Sequence, residues 1–295
     1  MTKKRKAAAR RAPSSPRSRS GAKAARAAVS IATNPKKSVS QRVAAMAKTS
    51  AAVCADDKSL QSMLTVLRDV QEPVDVRLRA LQSLQGASFS VVAFESCRGD
   101  YIATLRAVAE DPDPEIRQRV LGLLAREKDG FAQRKLLEGL RDPQKALVPP
   151  EKALQLLSYD VHAEAYSAAR AIVENPPNDS AKREALRLLA ADTASTPVFE
   201  KILLDKKERP EIRQISAAAL QALDPGKLRT YARDIVLDPG EGDEIQATSL
   251  TALTQFGEDK AMSGDEPLRK RVGEMRDKAS AAVKQSARQF LTKYK

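Results

Sequence analysis

A nine-residue unit returns seven times along the chain, and that periodicity constrains the fold more than any other feature. Its copies are VRLRALQSL (76–84), IRQRVLGLL (116–124), PPEKALQLL (149–157), AKREALRLL (181–189), IRQISAAAL (212–220), IQATSLTAL (245–253) and VKQSARQFL (283–291). The ninth place is always Leu, and the first and fifth are nearly always apolar or small. The fifth places, Ala80, Val120, Ala153, Ala185, Ser216, Ser249 and Ala287, lie 40, 33, 32, 31, 33 and 38 residues apart. Each copy follows a second apolar stripe at helical spacing, such as Leu60/Met63/Leu64/Leu67, Ile102/Leu105/Val108 or Leu268/Val272/Met275. Neither helix of such a pair can bury its stripe alone, so neighbouring pairs must stack. The expected fold is all-α: an α-solenoid of about seven helix pairs over 56–295.

Charge divides the chain differently. Residues 1–55 hold 14 Lys or Arg and no Asp or Glu, which leaves 37 basic and 38 acidic residues for Asp56–Lys295, a net of −1. The opening stretch MTKKRKAAARRAPSSPRSRS has too little apolar surface to offset chain entropy, so residues 1–37 are expected to form a disordered basic tail. SVSQRVAAMAK then spaces Val39, Val43 and Met46 as a helix behind Ser38, which predicts a short capping helix and linker over 38–55. Cys54 and Cys97 form no CxxC and read as inert thiols. No apolar run approaches a membrane span, so a soluble, cytoplasmic protein is expected.

Between the helices of one pair lies Asp111-Pro112-Asp113-Pro114-Glu115. Two prolines at a helix start and an Asp able to cap free amides make this turn chemistry rather than a metal site. DPGEGDE (238–244) and SGDEP (263–267) are inter-helix loops of the same kind, lacking the alternating ligand spacing of a calcium loop.

DPDPEIRQRVLGLLA, RPEIRQISAAALQAL and EPVDVRLRALQSL resemble the second-helix segment of HEAT repeats, particularly the short HEAT-like repeats of the phycobilisome-lyase type. The resemblance covers Asp56–Lys295, although two copies replace the usual second-place Arg by Pro150 and Gln246. It implies that the ladder Arg77, Arg117, Lys182, Arg213 and Lys284 bonds acids of adjacent repeats. It also implies that the second helices line a concave face. HEAT-repeat di-iron hydroxylases need several His-Glu pairs, whereas this chain has only His162, read as a surface or turn residue. HEAT-like DNA glycosylases use a basic face with aromatics, which a body of net −1 without Trp does not offer. A bilin lyase fits the resemblance, yet nothing beyond the repeat points to tetrapyrrole chemistry. No catalytic set, metal site or cofactor is implied.

What remains is a surface. The third, fourth and seventh places of the unit point away from the core and carry Arg79, Gln82, Gln118, Arg119, Lys152, Gln155, Arg183 and Arg187. This basic and amide stripe is the expected site for a protein partner. The tail cations Lys3, Lys4, Arg5, Lys6, Arg10, Arg11, Arg17 and Arg19 are the expected polyanion contacts. Two functions follow: a non-enzymatic scaffold or adaptor with an electrostatic attachment, or a nucleic-acid-associated protein whose tail holds phosphates without sequence preference. KKRK also leaves a nuclear address open, and the acid-free start an organelle transit peptide.

Overall fold

The computed structural model describes residues 16–53, 56–160 and 163–295, with side chains from residue 23 onward. Every regular element among them is helical, and none is long and apolar enough to cross a membrane. Cys54 and His162 lie outside the described residues. The chain forms two compact units, divided between Arg134 and Lys135.

The first unit contains α1 (Pro16–Ala32), α2 (Val39–Met46), α3 (Ser50–Val53), α4 (Asp57–Arg68), α5 (Val74–Ser88), α6 (Val91–Phe94), α7 (Arg98–Val108) and α8 (Pro114–Arg126); α9 (Gly130–Arg141) crosses the division. Helices α1, α4 and α7 pack in succession, and so do α2, α5 and α8, each against its own pair mate. Local chemistry sets the boundaries. Asp113 caps α8 by accepting from the amides of Glu115 and Ile116, Pro114 fills the first turn, and Arg126 sits in the last. Ser38 and Gln41 close a reciprocal capping box at α2.

In the second unit follow α10 (Pro150–Leu157), α11 (Ala163–Glu174), α12 (Asp179–Leu189), α13 (Thr196–Leu204), α14 (Pro210–Leu223), α15 (Pro225–Leu237), α16 (Asp243–Phe256), α17 (Asp259–Ser263), α18 (Glu266–Lys278) and α19 (Ala281–Lys293). The second helices α10, α12, α14, α16 and α19 stack in that order, and α11, α13, α15 and α18 each pack on the one that follows. All seven fifth places are buried, as are all ninth places but Leu291, which is half-buried. Ala or Ser at the fifth place lets the helices approach closely; burying each ninth-place Leu is worth about 1.5–3 kcal/mol.

Three expectations change. The basic segment is not disordered as far as residue 37: Pro16–Ala32 is helical, and Ala25, Ala28, Val29 and Ala32 are buried. Those small residues recur on one face of α1, and α2 and α4 complete the burial, so α1 and α2 make an eighth pair. In α2 the buried residues are Arg42 and Met46, while Val39 is exposed and Val43 half-exposed. In α7 the core takes Tyr101, Thr104, Leu105 and Val108, rotating Ile102 partly outward.

Candidate functional site

Many of the cations in the repeats tie one helix pair to the next. Arg42, Arg77 and Arg213 repeat one arrangement. Each Nε donates to the carbonyl ten residues earlier, at the end of the first helix of its own pair: Ala32 at 2.9 Å, Leu67 at 3.0 Å and Leu203 at 2.7 Å. Both terminal nitrogens then grip the carboxylate in the next pair's turn, Glu72, Asp111 and Glu241 respectively. A guanidinium suits this task because one planar fork satisfies an orphan helix-end carbonyl and a bidentate carboxylate together. Lys182 keeps only the carboxylate half, its Nζ meeting Glu208, and Gln246 keeps only the carbonyl half, donating to Asp238 O at 2.9 Å. Arg117 instead donates to the carbonyls of Asp111 and Pro112 within its own turn.

A second ladder runs along the first helices. Arg26, Arg106, Arg170 and Arg233 pair with Asp56, Asp129, Asp192 and Asp265. Each of those carboxylates also caps the helix or turn that opens the following pair, accepting from Ser59, Ala132, Ala194 and Leu268 amides. The Arg233 guanidinium holds Asp265 below the usual carboxylate range against the opposing effect of burial. For Asp129 burial pushes upward, but Arg106 and the Ala132 and Phe131 amides outweigh it. Nothing in the sequence marks this ladder except an Asp immediately before a helix or helical turn and an Arg one pair earlier.

Against that background the expected stripe falls into two groups. In the first unit, Arg79, Gln82 and Arg119 line one groove of about 760 Å³, together with Val39, Ser40, Val43, Asp75 and Leu78 from α2 and α5. Gln118 is exposed on α8 outside that lining. A second hollow of about 410 Å³ continues past Arg79 and Gln82 along Met46, Ser50, Gly86 and Phe89, the last 77% exposed. Arg79 donates to Gln82 Oε1 at 2.6 Å and has no carboxylate within ion-pair distance among the described residues. Arg119 is held by Glu115 one turn back at 2.6 Å.

In the second unit the two expected arginines meet carboxylates and the lysine meets an amide. Lys152 donates to Gln155 Oε1 at 2.8 Å, Arg183 pairs with Glu211 and Ser180, and Arg187 with Glu184. The more apolar places farther on join consecutive second helices: Gln214 donates to Thr248 Oγ1 at 3.2 Å, and Thr251 meets Ser286.

Of the tail cations, Lys3, Lys4, Arg5, Lys6, Arg10 and Arg11 lie outside the described residues, while Arg17 and Arg19 fall in the first turn of α1. The acids around 111 and 238 have structural partners. Asp111 meets Arg77, Asp113 caps α8, Asp238 holds Lys206 and the Gly240 amide, and Glu241 meets Arg213. Cys97 is buried as a free thiol. Among the described residues no three His, Cys, Asp or Glu side chains converge as metal ligands would.

No protein-family model matches the chain, and no curated protein matches its sequence. Among solved structures it is similar to human deoxyhypusine hydroxylase in complex with glycerol, at 15% identity and a TM-score of 0.34, over 80% of this chain and 96% of that one. A likeness at that level says nothing of this chain's activity.

Proposed function

We propose that the chain is a non-enzymatic, HEAT-like adaptor that holds a protein segment in the groove of its first unit, with the basic N-terminal segment supplying electrostatic attachment. The groove between α2, α5 and α8 carries this reading. It combines apolar wall residues Val39, Val43 and Leu78 with the guanidinium of Arg79, which meets the Gln82 amide oxygen but no carboxylate among the described residues, and the exposed Phe89 beside it. Interfaces draw their energy from a few such anchors, aromatic and Arg above all, set among polar groups that fix register. Arg119, Arg183 and Arg187 of the same stripe already meet Glu115, Glu211 and Glu184, so Arg79 is the guanidinium of that stripe still open to a carboxylate.

A photoreactive residue placed at Gln82 in the full chain tests the reading. The expected result is a protein adduct that disappears when Arg79→Glu is added, with helicity unchanged by circular dichroism. Adducts that form equally from an exposed position on α13 such as Lys201, or survive Arg79→Glu, refute it.

A further inference from the structure

The net charge of −1 for Asp56–Lys295 is a cancellation between two unlike parts. Residues 266–295 hold nine Lys or Arg and three Asp or Glu, a net of +6, against −7 for residues 56–265. The excess sits on one helix pair, α18 and α19. There Asp277 is gripped by Arg276, Nε to Oδ1 at 2.8 Å and Nη2 to Oδ2 at 2.9 Å. Lys284 and Arg288, one turn apart on α19, also act on that single carboxylate, which lies below its ordinary range through the Arg276 hydrogen bond first and then the charges of all three. Lys278, Lys284 and Arg288 themselves have no carboxylate within ion-pair distance among the described residues. In α12 to α15 and their turns most cations have one: among the described residues Lys182, Arg183, Lys206, Arg209, Arg213, Lys227, Arg229 and Arg233 are paired, Lys201 and Lys207 are not.

The chemistry of this face selects its occupant. From Gly257 onward no large apolar side chain is exposed, and Phe290 and Tyr294 are buried. A protein partner needs anchors to bury, and a lipid surface needs apolar residues to insert. Backbone phosphates need neither; Lys, Arg, Gln and Thr donors suffice, and on α19 these are Lys284, Gln285, Arg288, Gln289 and Thr292. Lys284 and Arg288 stand about 6 Å apart along the helix axis, which spreads the charge as a line rather than gathering it into a pocket for one phosphate.

We propose that the exposed face of α18 and α19 docks the phosphate backbone of double-stranded nucleic acid without reading its bases, as a site separate from both the basic N-terminus and the groove of the first unit. With no exposed aromatic on this face, stacking on bases is unavailable and sequence preference is absent.

The test uses the full chain with Lys3, Lys4, Arg5, Lys6, Arg10, Arg11, Arg17 and Arg19 all changed to Gln, so that the cations expected to carry the N-terminal attachment cannot mask the site. Binding to an arbitrary DNA duplex is followed by fluorescence anisotropy across a salt series. Duplex binding is expected to persist, with a log-log salt slope of about −3, near −0.9 for each of three contacts. Adding Lys278→Glu, Lys284→Glu and Arg288→Glu should weaken it at least about tenfold at low salt, whereas Lys201→Glu on α13 should leave it unchanged, both with wild-type circular dichroism. The proposal is overturned if the Gln-substituted chain binds no duplex or if the triple reversal binds as its parent does. It is equally overturned if phosphatidylserine vesicles are bound in place of DNA.

Discussion

Replacing Arg77 by Met removes the most enclosed cation of the first unit while keeping its aliphatic bulk. Arg77 and Asp111 are each only 2% exposed, and three hydrogen bonds vanish together: one to Leu67 O and two to Asp111. An uncompensated buried carboxylate costs about 3–5 kcal/mol, and the stranded Leu67 carbonyl adds about 1–3 kcal/mol where no water reaches it. Relaxation absorbs part of this, so a net loss of about 4 kcal/mol is expected, a large share of the 5–15 kcal/mol that holds a typical domain. Asp111→Asn should cost about 3 kcal/mol on the same grounds while retaining the turn bond from the Asp113 amide, 3.0 Å away. The double variant should cost at least about 1.5 kcal/mol less than the two singles summed, because each single strands the other's charge. Arg119→Met, breaking an exposed pair one helical turn long, serves as the reference at under about 1 kcal/mol. Urea unfolding followed by circular dichroism, with hydrogen exchange of the α5 amides, measures all four. A cost below about 1 kcal/mol for Arg77→Met, or strict additivity in the cycle, would refute the claim that this ladder ties one pair to the next.

Three further outcomes follow. Gly257→Ala should destabilise the second unit by about 1–3 kcal/mol on the scale of overpacking, because a Cβ there would run into Leu253 O and lie 2.6 Å from Met262 Cγ; thermal melts read this directly, and an unchanged midpoint would contradict it. Tyr101→Phe should be neutral or stabilising by about 1 kcal/mol, since the Tyr101 hydroxyl is buried with no hydrogen-bond partner among the described residues and burial raises its pKa; a loss above about 1 kcal/mol would reveal a hydrogen bond there. Asp265, lowered by Arg233, binds protons less readily folded than unfolded, so its contribution is present above the unfolded carboxylate pKa and is lost as pH falls through the lower folded value; Asp265→Asn should flatten the decline in melting temperature below about pH 4, and a decline parallel to wild type would count against the pairing.

The helix pairs were legible because burial imposes a period. The Leu at the ninth place and the small residue at the fifth are what two stacked helices leave room for, and those seven copies stand where the alignment puts them. The copy at α2 escaped because Gln41 and Thr49 occupy its first and ninth places; Thr49 is buried nonetheless, meeting Ser83 and Met46 O. The mark it does carry is Arg42, ten residues after the helix-end carbonyl it binds, the same offset as Arg77 and Arg213. Helix α1 escaped because its buried face is almost all Ala, which composition cannot tell from a flexible Ala-rich segment. Of the expected binding stripe, Arg79, Gln82, Gln118, Arg119, Gln155 and Arg187 are exposed, while Lys152 and Arg183 are half-buried. Helical pattern places Arg119, Arg183 and Arg187 off the core stripe, but whether each is already paired depends on where Glu115, Glu211 and Glu184 reach.

Hydrogen exchange on a Leu189→Asp variant, resolved by peptide, bears most directly on nearest-neighbour stacking. Leu189 is fully buried on α12, which packs against α10, α11 and α14. The account predicts that protection collapses in those four helices together and is retained in α18 and α19, because each pair is stabilised by its immediate neighbours. Wild-type exchange in α10, α11 and α14, or an even loss of protection through α19, would contradict it.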